Sequence, residues 1–192
     1  MLSRMELTLS DLSRRFENLL RVGSVSHVEH AQKPRVRVQM GQITTAWIPV
    51  ATLRAGASKT WNPPTVGEQI LVIAPSGDLE SAFALLSINS NQHPAPCTDA
   101  NITRTHFPDG AQIDYNHAEH HHSVTLPNAG KFTFKVGATT LTMTSDETKI
   151  QTGQSVFSLT DAQAQIKVGS TTLKLTSSGT TLSTPSFDGV QT

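Results

Sequence analysis

His117, His120, His121 and His122 fall in one short run, HAEHHH, and are the densest set of potential metal ligands in the chain. Neutral imidazoles bind zinc, copper or iron. On a strand His120 and His122 would share a face; on a helix His117 and His121 would. Three copies of the chain could also bring such residues together on an axis. A zinc site closes with convergent ligands, and the sequence supplies no second set to meet these. The run therefore reads as a solvated loop or strand between Tyr115 and Val124, and no metal or cofactor is assigned. Carboxylates are the next candidates, since glycoside cleavage uses a pair of them beside a sugar-binding surface. Asp146, Glu147, Asp161 and Asp188 fall at turns between apolar runs, and that region has no Trp or Tyr on which a sugar could stack. Cys97, the single cysteine, excludes an intrachain disulfide and has no His-Asn constellation around it. The residues point away from an enzyme.

The segment that carries these acids is repetitive. Gly137, Gly153 and Gly169 are spaced by sixteen residues, as are Leu141, Phe157 and Leu173, then Met143, Leu159 and Leu175, then Ile150, Ile166 and Leu182. A fixed period means stacked copies of one supersecondary unit. Within each copy apolar residues alternate with Thr, Ser and Gln, the pattern of strands with one buried face. Each copy has too little apolar material to fold alone, because isolated two-stranded elements are marginal in water. Either the chain winds into a one-chain solenoid, or several chains wrap together. The short strand-turn-strand zigzag favours an intertwined trimer. Its inward residues would be Phe132, Phe134, Val136, Leu141, Met143, Ile150, Phe157, Leu159, Ile166, Val168, Leu173, Leu175 and Leu182, with outward Thr and Ser keeping the surface wettable without strong charge.

Composition narrows the remaining classes. The chain has 192 residues, with fifteen Lys plus Arg balanced by fifteen Asp plus Glu. That balance argues against a general nucleic-acid binder, which needs cations for phosphates. Hydrophobic content of 36% is low for one compact globule. Charges at Arg4, Glu6, Asp11, Arg14 and Arg15 interrupt any signal-peptide core, and no run is long and apolar enough to span a bilayer. The expectation is a protein made soluble in a cytoplasm.

Residues 1–20 are expected to contain a helix, with Ser3 to Glu6 as a capping box. Met5, Leu9, Leu12, Phe16 and Leu19 form one apolar stripe, packed on the helix's own domain or serving as an arm for a neighbouring subunit. Gly23 is the expected stop. Residues 21–90 read as five short strands: Val22 to Val28, Arg35 to Met40, Thr45 to Val50, a turn and strand over Val66 to Ile73, and Ser81 to Ile88. Such spacing suits a Greek-key barrel of the oligonucleotide/oligosaccharide-binding (OB) type. Nucleic-acid binding through Arg35, Arg37, Arg54, Lys59, Trp47 and Trp61 would need a basic groove with stacking platforms. The two Trp are read instead as core or subunit-interface residues. Residues 91–105, with Pro94 and Pro96, read as a linker.

Several segments resemble one family. Arg21-Val22-Gly23-Ser24-Val25, Trp61-Asn62-Pro63-Pro64-Thr65-Val66-Gly67-Glu68-Gln69 and Pro75-Ser76-Gly77-Asp78-Leu79 are similar to the barrel of baseplate assembly protein V. Phe107-Pro108-Asp109-Gly110-Ala111-Gln112-Ile113-Asp114-Tyr115 resembles the start of its needle. These are the central spikes of contractile tails of the phage P2 and R-type pyocin kind. The resemblance spans roughly residues 10 to 184 and carries no catalytic signature. It implies an all-β fold: an OB barrel, then an intertwined trimeric triple-stranded β-helix over 106–184 and a tip over 185–192. It implies a homotrimer attached to a baseplate or tail-tube hub, touching the bacterial outer membrane transiently as sheath contraction drives it through a Gram-negative cell surface. The particle would be a virion or tailocin assembled in the host cytoplasm, with no nucleic-acid partner. Members of the family often carry an iron-binding His-x-His near the tip. Here no His follows His122, so the iron is not carried over, and Phe187 and Val190 are expected to plug the end. The competing readings are an OB binding module on a repeat stalk and a polysaccharide-degrading tailspike.

Overall fold

A computed structural model describes residues 9–187, apart from the side chain of Leu86. The expected capping box Ser3 to Glu6, Met5, and the tip residues Asp188 and Val190 lie outside the described residues. Two compact units are present, residues 1–95 and 96–192. One short helix aside, the described elements are strands and single 3-10 turns.

In the first unit, α1 (Leu9–Asn18) leads directly into β1 (Leu20–Glu29). The helix therefore stops before Gly23, which is not its terminator. Gly23 lies inside β1, where a Cβ would fall 2.6 Å from Val38 Cγ1 and 2.7 Å from the Gln39 carbonyl oxygen. The glycine is there to let β2 (Arg35–Met40) approach closely. The expected third strand is also broken. Ile43–Thr44 (β3) and Ile48–Pro49 (β4) both pair with β2, and between them Thr45 turns its hydroxyl inward to accept a 3.0 Å bond from the Val38 amide.

β5 (Gln69–Ile73) and β6 (Phe83–Ile88) complete the order β3-β2-β1-β5-β6. A bulge between Val25 and His27 lets the long β1 bend and serve both halves of the sheet. The sheet then closes on itself: Val50 bridges Ala84, and the Ala51 amide donates to the Ala84 carbonyl at 2.8 Å. Closure gathers Val25, Val36, Val38, Met40, Ile48, Ile70 and Val72 into one buried cluster with Ala74, Ala82 and Ala84. Burial of each large side chain contributes on the order of 1.5–3 kcal/mol.

The motif segments close the ends of this barrel. Glu68 is the organiser of the loop before β5. Its carboxylate accepts the Thr65 amide at 2.8 Å and the Ser87 hydroxyl, while its carbonyl accepts the Val25 amide at 2.8 Å. At Pro75–Gly77 the chain makes a 3-10 turn, and the Asp78 carboxylate caps the next one by accepting the Glu80 amide at 3.0 Å. Gly77 has φ +71, and its missing Cβ leaves room for the backbone of Arg15.

The second unit is built of two meanders. β7 (Ile102–His106), β8 (Gln112–Asn116) and β9 (His121–Thr125) form the first. The residues read from sequence as the end of a linker are thus a strand, paired along its whole length with β8. Phe107 to Ala111 is the turn between them: the Phe107 amide donates to the Ala111 carbonyl at 2.9 Å, the Asp109 carboxylate accepts the Ala111 amide at 3.0 Å, and Gly110 takes φ +89. The second meander holds seven antiparallel strands in strict sequence order: β10 (Phe132–Val136), β11 (Thr139–Met143), β12 (Glu147–Thr152), β13 (Ser155–Thr160), β14 (Gln163–Val168), β15 (Thr171–Thr176) and β16 (Gly179–Ser183).

Candidate functional site

The register of the seven-stranded meander explains the period of sixteen. Its hairpins are centred between Gly137 and Ala138, Ser145 and Asp146, Gly153 and Gln154, Asp161 and Ala162, Gly169 and Ser170, and Ser177 and Ser178. Each hairpin reflects the chain about its own turn, and two successive reflections carry a residue onto its equivalent sixteen positions on. The two kinds of turn alternate. At Gly137, Gly153 and Gly169 the φ is +56 to +57, as the first residue of these two-residue hairpin loops requires. The other turns begin at Thr144, Thr160 and Thr176, again sixteen apart, a series the hydrophobic pattern does not reveal. Thr144 Oγ1 accepts the Glu147 amide at 3.1 Å, Thr160 Oγ1 accepts the Gln163 amide at 3.2 Å, and the Thr176 hydroxyl donates to the Gly179 carbonyl at 3.1 Å.

This register lines one face of the sheet with apolar rows. Phe134, Leu141, Ile150, Phe157, Ile166, Leu173 and Leu182 are paired in succession across all seven strands. Beside them runs a second row, Phe132, Met143, Thr148, Leu159, Ala164, Leu175 and Thr180, in which large and small residues alternate from Met143 on. Val136 and Val168 stand at the glycine end of the same face, paired with Thr139 and Thr171. All thirteen side chains expected to point inward thus share one face. Within the single chain that face is uncovered: Phe134 is 59% exposed, Leu159 48% and Ile166 45%. Among the described residues, Ala111 is the only hydrophobic residue of this unit that is buried. A cavity of about 350 Å³ opens where Val124, Leu126 and Phe132 meet Met143, and it belongs to the same uncovered surface.

The opposite face departs from the expectation of Thr and Ser without strong charge. Thr133, Thr142, Lys149, Ser158, Gln165, Lys174 and Thr181 form one of its rows, and Lys135 and Lys167 lie in the next. Asp146 and Asp161 sit at hairpin centres, Glu147 at the start of β12, so the lysines occupy the strand middles and the acids the turns. No described carboxylate pair faces a cleft with aromatic walls.

In the three-stranded meander the histidines separate. His120 sits in a turn with φ +53, while His121 and His122 enter β9 opposite Asn116 and Tyr115. His122 lies 6.4 Å from the Tyr115 ring, centroid to centroid. Among the described residues no three His, Cys, Asp or Glu are placed to share a metal ion. Tyr115, Ile113 and Val124 share the exposed side of this sheet. The other side is fastened by a pair that sequence patterning missed. Arg104 Nε donates to Asp114 Oδ1 at 2.8 Å and Nη2 to Oδ2 at 2.5 Å, a two-pronged contact across β7 and β8, and Nη1 reaches the Pro96 carbonyl at 3.3 Å. The guanidinium holds the Asp114 carboxyl below its ordinary value of 3.8, against a smaller opposing effect of desolvation. A carboxyl lowered in the folded state stabilises above its unfolded value and loses that contribution as pH falls through the lowered one. Protection of the β7 and β8 amides, taken relative to the intrinsic exchange rate at each pH, is therefore expected to be high at neutral pH and to fall below about pH 4, while Asp114→Asn should be less protected at neutral pH and lose that acid dependence.

On the barrel two of the four candidate cations are engaged. Arg35 pairs with Glu29 at 2.7 Å, and Arg37 lies 5.2 Å from the Trp47 ring centroid, with His27 edge-on to the same ring. Neither Trp joins the buried core, for Trp47 is half-buried and Trp61 is 62% exposed. No described helix is long and apolar enough to cross a membrane.

Comparison with known proteins meets this architecture at both units. Residues 21–88 match the family described as the Type VI secretion system/phage-baseplate injector OB domain, the segment that the structure closes into a barrel. The chain is also 40% identical over 107 residues to the spike protein of Escherichia phage P2. That match takes in 56% of this chain and 50% of the relative, so it spans about half the length of the curated protein it matches. The chain is thus similar to a phage spike protein over about half its length, and its described fold is all-β, an OB barrel followed by strand meanders, with one short N-terminal helix.

Proposed function

We propose that this protein is the central spike of a contractile tail: a non-enzymatic homotrimeric needle, attached by its barrel to the baseplate hub, that pierces the outer membrane of a Gram-negative cell when the sheath contracts. The observation that carries the reading is the uncovered apolar face of the seven-stranded sheet. A monomeric soluble protein rarely exposes a continuous apolar surface of this size, and a sheet with one wet apolar face is not stable alone. Three copies turned towards a common axis cover all three faces at once. The open edges at β10 and β16 have less to offer a foreign strand once each sheet wraps around that axis.

Piercing is a mechanical task, and strand pairing in unbroken sequence order suits it. Force along the rod is borne by many backbone hydrogen bonds and by apolar rows that no single hairpin can leave alone. The particle would be a phage tail or a tailocin, assembled in the host cytoplasm. The relative's name and the absence, among the described residues, of a cleft flanked by paired carboxylates favour a structural part over a polysaccharide-cleaving one. Nucleic acid is not among the partners read here: the chain has no net positive charge, and Arg35 and Arg37 are already occupied.

Mass in solution is the direct test. Light scattering should return three times the chain mass of 20.7 kDa. A monodisperse single-chain mass would overturn the needle and favour a one-chain solenoid.

A further inference from the structure

From His30 to Gly67 the chain has no Asp or Glu and five cations, Lys33, Arg35, Arg37, Arg54 and Lys59. Arg35 and Arg37 are taken up by Glu29 and Trp47. No described carboxylate forms an ion pair with the other three. Arg54 and Lys59 stand on the loop between β4 and β5, in which every residue from 51 to 62 is exposed. The same loop shows two large apolar side chains to solvent, Leu53 at 81% and Trp61 at 62% exposure. At its base the Val50 amide donates to the Pro34 carbonyl at 3.3 Å, which sets Lys33 beside it.

None of residues 51–62 belongs to the core cluster, yet the loop is braced. The Thr60 amide donates to the Arg54 carbonyl at 3.0 Å, and the Thr60 hydroxyl accepts the Arg54 amide at 3.2 Å and meets the Thr52 hydroxyl at 2.7 Å. Ala55 pairs with Lys59 beyond them. The Ala51 amide on the Ala84 carbonyl fixes one end, and buried Pro64 fixes the other. A braced loop gives up less conformational freedom on binding than a loose one. Trp and Arg are the side chains that most often anchor protein interfaces.

We infer that this loop is where the barrel meets the hub, and that the hub surface receiving it is acidic around an apolar seat for Trp61 and Leu53. The inference rests on the hub attachment proposed above and names its face and its chemistry. Charge selects the occupant. A neighbouring barrel would have to offer carboxylates, and most of those described in this unit are already engaged. Asp11 holds Arg14 and Arg15, Glu29 holds Arg35, Glu68 takes Thr65 and Ser87, and Asp78 caps the Glu80 amide. Glu17 and Glu80 remain, and two separate carboxylates do not make an acidic patch. A nucleic acid would engage the cations but leave Leu53 in water. An acidic protein surface with an apolar centre answers both kinds of side chain at once.

The experiment titrates the full chain with the purified hub protein of the same particle, by calorimetry at two salt concentrations. Two variants are compared with it: Arg54→Glu together with Lys59→Glu, and Trp61→Ala. Each is expected to weaken hub binding by about tenfold or more while the light-scattering mass stays that of the unaltered protein. The charge variant should also lose the fall of affinity with salt that screening imposes on the unaltered pair. Lys174→Glu, exposed on the long meander, should bind the hub as before. Unchanged affinity in both loop variants would overturn the inference and leave hub attachment standing elsewhere on the barrel. A loop variant that falls to single chains would overturn it too, since the loop would then meet another copy. So would retention of a single-stranded oligonucleotide by the unaltered protein and its release by the charge variant, which would make nucleic acid the occupant. An unaltered trimer that does not bind the hub at all would overturn the attachment itself, and this inference with it.

Discussion

Leu159→Asp is expected to reduce the protein to single chains and to abolish its resistance to heat. Leu159 sits in the middle of the seven-stranded sheet, between Thr148 and Ala164 in its row and one pleat away from Phe157. In an axial trimer the substitution sets three carboxylates close to one line, in surroundings with no cation on that face. Each charge loses its hydration, at an effective cost of several kcal/mol per ion, and each repels the other two. Protonation would lessen the damage at low pH but would still leave three polar groups without partners. Lys174→Asp, at an exposed position on the opposite face of the same sheet, is the matched control. It exchanges one solvated charge for another, and its effect should stay within about 0.5 kcal/mol. Size-exclusion light scattering and thermal melting read both variants. A Leu159→Asp protein that remained trimeric and heat-resistant would overturn the axial assignment.

That contrast between faces was legible from spacing alone, because a strand meander with evenly spaced turns leaves no freedom in its parity. Once Gly137, Gly153 and Gly169 mark every second hairpin, the face of each residue between them follows. The barrel was legible in outline for a different reason: Val36, Val38 and Met40 alternate with Arg35, Arg37 and Gln39, and both sides of that pattern have to be satisfied. What escaped the pattern depends on contacts distant in sequence. Gly23 reads as a helix stop because glycine often is one, and only the approach of β2 shows why β1 needs it. Thr45 breaks a run that looks like a strand because its hydroxyl answers the Val38 amide. Ile102 to Thr105 looks like the tail of a proline-bearing linker until Asp114 meets Arg104 across the register of β8. The lysines at 135, 149, 167 and 174 are plain in the sequence, but their gathering on one face away from the acids emerges only with the register. Thr144, Thr160 and Thr176 repeat as faithfully as the glycines, yet a search for apolar periods passes over them.

The position of β7 also sets where the second unit can be cut. A chain starting at residue 106, as the linker reading would suggest, loses Ile102 to Thr105 and with them the partner of Asp114 and all of the β7–β8 ladder except the His106–Gln112 pair. The segment 96–192 keeps both, together with the Pro96 carbonyl that Arg104 reaches. Expressed alone, it is expected to form a trimer as stable to heat as the full chain, because the thirteen apolar residues that need covering all lie within it. The segment from 106 should still trimerise through the same rows but expose the first strand of its opening meander, with faster amide exchange in β8. Removing residues 1–95 takes away a barrel whose core is complete within itself. Light scattering on the two segments separates the possibilities. If 96–192 were a folded monomer, the apolar rows would have to be covered within one chain, and the shared-axis needle would fall. If it were insoluble while the full chain is trimeric, the barrels would be what holds the three copies together, and the sheet face would be secondary to them.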